Sequence, residues 1–302
     1  MRIAPHRAPQ PLLPAAPLLA AVLLAACTGC SSGSSTASAQ LDALRHLPAA
    51  ENTGRQVTYV DEAEMRKLEK GDSQRYRQIS QPASGLLIGY MGVPWGDTVK
   101  TDQIDSAIDA NQVGHWDGRF DPAAVAKELK KHHFTSKEQD GKTVLTSESG
   151  SLKIAVSDSE LVYSTEGAKH FSPGDPDEDA SLAGVEEYRQ IADCLGDVYR
   201  ADYNTLSTKK SVRLSALGQH DDSGRNTEVM CLVVKDKAAA DEVASKLRAR
   251  IKERGQKFGG AKVDTADGDH PVVRVTVPDS GKQKPGRLFI SDVDLWMALG
   301  SD

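Results

Sequence analysis

Val229-Met230-Cys231-Leu232-Val233-Val234-Lys235-Asp236 is a short apolar strand that stops on an Asp, and a helical pattern follows it over residues 238–254. In that pattern Ala240, Val243, Ala244, Leu247 and Ile251 recur at the helical period and form one apolar stripe. Asp is a favoured N-cap because its carboxylate accepts the orphan N–H groups of a first helical turn, so Asp236 marks the boundary. The same strand-Asp-helix unit occurs twice upstream. In Val57-Thr58-Tyr59-Val60-Asp61, Glu64 stands where a capping-box partner belongs. In Trp116-Asp117-Gly118-Arg119-Phe120-Asp121, Pro122 takes the first helical position, where a missing N–H costs nothing, and Val125, Ala126 and Leu129 turn inward.

A second pattern accompanies the first. Ile154-Ala155-Val156-Ser157-Asp158-Ser159-Glu160-Leu161-Val162-Tyr163 matches Leu288-Phe289-Ile290-Ser291-Asp292-Val293-Asp294-Leu295-Trp296-Met297, and each reads as a hairpin about a Ser-Asp turn. The spacing predicts a duplicated β-α-β-β unit, its copies at about 112–165 and 228–299. Between them residues 181–201 read as a connecting helix that buries Val185, Tyr188, Ile191, Ala192, Leu195 and Tyr199. The expected fold is α+β, with two similar lobes at 51–180 and 181–302, each an antiparallel sheet covered by helices on one face.

The N-terminus has the parts of an export signal: basic Arg2, His6 and Arg7, an apolar run ending at Leu24, then small residues. Pro14 and Pro17 interrupt the run, which falls short of the roughly 20 apolar residues of a membrane-spanning helix. Leu24-Ala25-Ala26-Cys27 resembles the lipobox of bacterial lipoproteins. The resemblance implies cleavage of residues 1–26, a thioether-linked pair of acyl chains on Cys27, and attachment to the outer face of the cell membrane. Two chains anchor stably where one binds only marginally. The block 27–50 then serves as a tether, rich in Ser, Gly, Thr and Ala up to Gln40. Within it Cys30 is a free thiol, an extra acylation site or incidental. The layout is similar to that of uncharacterised lipoproteins of high-GC Gram-positive bacteria, which brings no activity with it.

Loss of the signal, with Arg2 and Arg7, takes the net charge from −6 to −8. An acidic chain disfavours nucleic acid, whose phosphates demand a basic face. Cys194 lies on the apolar side of the connecting helix and Cys231 in the strand quoted first. In an oxidising compartment they form either a disulfide or two buried thiols.

Motifs for catalysis are weak. Gly29-Cys30-Ser31-Ser32-Gly33 has the serine-hydrolase spacing but lies in the tether rather than on a strand-to-helix turn. Ser207-Thr208-Lys209-Lys210 lacks the companion motifs of penicillin-recognising enzymes. His132 and His133 are adjacent and point apart, so they do not make a zinc pair. Asp175, Asp177, Asp179 and Glu186 occupy positions 1, 3, 5 and 12 of a calcium loop, although Ala180 stands where such loops need Gly. The expectation is a non-catalytic, lipid-anchored binding module for a protein or cell-wall partner. The alternatives are an envelope enzyme without a recognisable motif and a calcium-stabilised adhesion or sensor module.

Overall fold

Asp61, Asp121 and Asp236 each cap a helix, accepting the N–H of Glu64, Ala124 and Ala239 at 2.8, 2.9 and 2.8 Å. Glu64 does not return a capping-box bond; its carboxylate pairs with Lys67 one turn on. The structure is a computed structural model that describes residues 38–50, 53–80, 86, 93–165, 171–205, 211–222 and 224–299. The signal, Cys27, Cys30, the Gly29–Gly33 motif and Ser207-Thr208-Lys209-Lys210 lie outside the described residues.

The first half runs α1 (Ala39–Leu44), β1 (Gln56–Asp61), α2 (Glu62–Gly71), α3 (Ser73–Tyr76), β2 (Ile104–Ala110), β3 (Val113–Gly118), α4 (Pro122–Lys130), β4 (Thr135–Gln139), β5 (Lys142–Thr146), β6 (Lys153–Val156) and β7 (Glu160–Ser164). The second runs α5 (Glu186–Leu195), β8 (Arg200–Asn204), β9 (Val212–Asp222), β10 (Arg225–Val234), α6 (Lys237–Arg254), β11 (Lys262–Ala266), β12 (Val272–Pro278), α7 (Arg287–Ile290) and α8 (Asp294–Leu299). The fold is α+β with an antiparallel sheet, as expected.

The two halves share one sheet. Its order is β11-β12-β10-β9-β8-β1-β2-β3-β7-β6-β5-β4. Each half contributes a three-strand meander, then a helix, then strands that add outside the third strand. The meanders meet antiparallel at β1 and β8, with Val57 opposite Tyr203 and Tyr59 opposite Ala201. Two separate sheets would each leave an exposed edge here, and pairing β1 with β8 removes both.

Helices cover both faces of the sheet. On one, α1 and α5 bury Leu44, Ile191 and Leu195 against Val57, Ala216 and Val229. On the other, α4 packs over Trp116 and Leu161, and α6 with α8 packs over Leu232, Val273 and Val275. The expected coverage of one face is therefore corrected. All of Val229 to Val234 is buried, which is the unbroken apolar run of a strand covered on both sides. Gly218 lets α5 ride close to β9, since a Cβ there would fall 2.8 Å from Val198 and 2.9 Å from Leu195.

The duplicated unit is present, but its second hairpin is elsewhere. Lys153–Val156 and Glu160–Ser164 pair as expected, whereas residues 288–297 fall in the two short helices α7 and α8 and the turn between them, and the matching strands are β11 and β12. Leu288, Leu295 and Leu299 all point into the α6 core, and Leu295 and Leu299 do so one helical turn apart. Val273, Val275 and Val277, buried at alternate positions, carry the strand signal instead.

Among the described residues no helix is long and apolar enough to cross a membrane.

Candidate functional site

The C-terminal segment is built around one buried cation. Gly286, with φ 80°, turns the chain into α7. Arg287 then lies 95 % buried, donating to Asp279 at 2.8 Å and to Asp292 at 2.7 Å. The backbone N–H groups of Arg287 and Leu288 donate to the two oxygens of Glu228, each at 3.1 Å, and Gln219 donates to Glu228 at 3.0 Å. Asn226 links this network to Asp279 and to the Tyr199 hydroxyl. Further out, Lys257 binds Asp292 and Asp294 at 3.0 and 2.6 Å.

With its polar groups turned inward, the segment shows solvent its apolar side. Phe289, Ile290, Val293 and Met297 are 49, 44, 45 and 64 % exposed, and they are the large exposed hydrophobics among the described residues. Beside them lies a groove of about 260 Å³, lined by Tyr203, Leu217, Phe289 and Trp296 with Gln56, Asn204 and Asp202 at its polar side. An anchor side chain fits such a groove while the patch around it excludes water.

A second cavity, of about 350 Å³, is acidic and is lined by Tyr59, Tyr199, Asp61, Glu64, Asp197 and Asp221 among others. Two of its carboxylates serve the fold: Asp61 caps α2, and Asp221 accepts from the Tyr76 hydroxyl at 2.6 Å. The two glutamates with the largest upward shifts line neither space. Burial pushes Glu62 up to about 7, with Asp109 and Asp61 adding to it against Arg66 and Arg200. Burial, then the Asp279 carboxylate, push Glu228 up to about 7 against its hydrogen bonds and Arg287. Both are buried in the packing, away from these two cavities.

These shifts set a pH dependence. The folded chain holds the two protons more tightly than the unfolded chain, whose glutamates titrate near pH 4.3. Between about pH 4 and 7 these two groups bind more protons in the folded state, and their contribution to stability falls as pH rises through that window, against His220, which burial shifts down and which acts in the opposite sense below about pH 6.5. Asp294 shifts downward through its bond to Lys257, so its contribution is lost only as pH falls below about 4. The urea midpoint is expected to be higher at pH 5 than at pH 8, with Glu62→Gln narrowing the gap. Equal midpoints, or a higher one at pH 8, would contradict the assignment.

Cys194 and Cys231 are joined, their Cα atoms 6.2 Å apart, and the bond ties α5 to β10. The calcium ligands do not converge: among the described residues no cluster of potential ligands contains Asp177, Asp179 or Glu186. Asp175 accepts from His46, residues 178–180 wind into a 3-10 turn, and Glu186 opens α5 and bonds Gln190. Without glycine at Ala180 the chain lacks the sharp turn that would wrap an ion. His132 and His133 join no such cluster either, and His132 instead lies 3.8 Å from Glu128. Sequence reasoning missed His46 and His115, which stack at 3.8 Å. The alternation of His115 with Asp117 on one strand face was a signal for the second of them.

No family model matches the sequence, and no curated protein is similar to it. Among solved structures, crystal forms IV, III and I of TP0453 align with TM-scores of 0.42, 0.41 and 0.42 at 10, 11 and 12 % identity. The alignments cover 74, 78 and 79 % of this chain and 89, 94 and 93 % of that one.

Proposed function

We propose that this chain is a lipid-anchored protein of the outer face of a bacterial membrane, and that it works by binding a protein partner through α7, α8 and the adjoining groove. The exposed group Phe289, Ile290, Val293 and Met297 carries the reading. Contiguous apolar surface is costly to leave in water and marks interaction sites in soluble domains. Its chemistry selects a partner protein over cell-wall polymer, because a glycan or peptide strand rich in polar groups would have to strip its own hydration to lie there. The buried Arg287 network holds the patch rigid, which lowers the entropy lost on docking. The anchor rests on Leu24-Ala25-Ala26-Cys27, and Cys27→Ala is expected to remove both the diacyl mass and membrane fractionation.

The docking surface is tested in the bacterium that carries the protein, with a photo-crosslinking residue at position 293 and a control at exposed Lys137. A discrete adduct is expected at 293 alone. Excess soluble wild-type domain should compete it away at least tenfold better than the Phe289→Ser/Met297→Ser domain. Equal labelling at both positions, or equal competition by both domains, would remove the patch from the function.

A further inference from the structure

At the other half of the sheet, on the face covered by α1, lies a group of polar side chains that the docking reading does not use. His115 on β3 is 3 % exposed. Its Nε2 lies 3.1 Å from Asp117 and 3.9 Å from Glu160. His46, on the connection from α1 to β1, stacks over it with ring planes 21° apart. The Nδ1 of His46 is 2.6 Å from Oδ1 of Asp175. One ligand atom from each of His46, His115 and Asp175 lies within 4.8 Å of the other two.

The supporting contacts are those a metal site needs. A ring nitrogen facing a carboxylate carries the hydrogen, so Asp117 fixes His115 as the tautomer whose Nδ1 keeps a lone pair. A ligating histidine characteristically gives its other N–H to a carboxylate in this way. Ser106 in turn holds Asp117 at 2.8 Å. Lys142 pairs with Glu160 at 2.9 Å and bonds the Pro173 carbonyl, which pins the segment that carries Asp175. Three carboxylates then stand against one ammonium, an excess of negative charge that favours a divalent cation.

We propose that His46, His115 and Asp175 bind a divalent transition-metal ion of the zinc class. The ion takes the place of the proton shared by His46 and Asp175, with His115 Nδ1 as third ligand and a water in the open position. Two imidazoles and one carboxylate suit zinc and its neighbours rather than calcium, which prefers oxygen alone. Bonds of about 2.0–2.1 Å to a tetrahedral ion set ligand atoms about 3.3 Å apart, so on binding the His46–Asp175 pair opens from 2.6 Å, the wider separations close from at most 4.8 Å, and His46 tilts out of its stack over His115 so that the ion lies in the plane of both rings. His46 and Asp175 lie outside regular secondary structure and supply that movement, while β3 keeps His115 in place.

The test is calorimetric titration of the EDTA-treated protein with zinc chloride, after alkylation of its free thiols. His46→Ala and Asp175→Asn are the deciding variants, because both side chains are partly exposed and their loss leaves the core intact. One zinc per chain is expected, at least tenfold weaker in each variant, with a zinc-dependent rise in melting temperature only in the wild type. Bound cobalt should show ligand-field absorption of tetrahedral intensity that His46→Ala abolishes. No stoichiometric binding by the wild type, or equal binding by the wild type and both variants, would overturn the site. Metal-free melts of the variants that match the wild type show that a lost signal is a lost ligand rather than a lost fold.

Discussion

Arg287→Ala is expected to cost about 3–5 kcal/mol of unfolding free energy, the usual effect of taking one partner from a buried ion pair. The guanidinium is the cation for Asp279 and Glu228, both fully buried, and for Asp292. Without it two carboxylates stand uncompensated in an apolar setting, where each must take up a proton or draw in water. The loss is a large share of a total that is typically 5–15 kcal/mol. Because the backbone of Arg287 and Leu288 is bonded to the same Glu228, α7 and α8 should detach first. Urea denaturation followed by tryptophan fluorescence, in a Trp95→Phe/Trp116→Phe background that leaves Trp296 as the reporter, measures both effects. Arg287→Lys should not restore stability, since an ammonium lacks the planar fork that reaches separate carboxylates. Arg287→Met combined with Asp279→Asn and Glu228→Gln, which removes the guanidinium together with the two fully buried carboxylates and leaves Asp292 to Lys257, should be more stable than Arg287→Ala. A loss below about 1 kcal/mol would mean that water reaches these carboxylates. The same variant should weaken docking, because the exposed apolar side chains are presented by the segment that Arg287 holds.

Removing the disulfide as Cys194→Ala/Cys231→Ala is expected to cost about 4 kcal/mol. The bond closes a loop with a sequence separation of 37, and chain-entropy reasoning for a loop of that size gives about that figure. Cys231 is fully buried beneath α5, so its truncation adds a small cavity to the entropy effect. Guanidinium denaturation of the double variant beside the oxidised wild type measures the difference. A change under about 1 kcal/mol would show that α5 stays on β9 and β10 by packing alone, and that the bond constrains little of the unfolded chain.

The helix boundaries were legible because their causes lie within four residues. Asp61, Asp121 and Asp236 cap through contacts to the third residue on, and the stripes Val125-Ala126-Leu129 and Ala240-Val243-Ala244-Leu247 follow from helical periodicity. The Ile154–Tyr163 hairpin was read from strand alternation and a turn. The same reading failed at Leu288–Met297. There the apolar pattern was similar, and a buried partner in another part of the chain, Glu228, bonds the backbone of the first helical turn. For the two cysteines sequence left a bridge and two thiols open, and the packing of α5 across β10 decides for the bridge. The acidic run showed carboxylates at calcium spacing, yet their convergence needs a backbone turn that Ala180 does not favour.

Sequence by itself determined the α+β class, the capped helices, the repeated strand-Asp-helix unit and the acidic balance, since each follows from neighbours along the chain. Tertiary structure alone decided that β1 pairs with β8 to make one sheet, and that both its faces are covered. It also decided that His46, His115 and Asp175 meet from three distant segments, and that Phe289, Ile290, Val293 and Met297 remain in water. Edge pairing, two-sided burial and convergent side chains depend on contacts between residues far apart in sequence, and local propensity and periodicity carry no information about those distances.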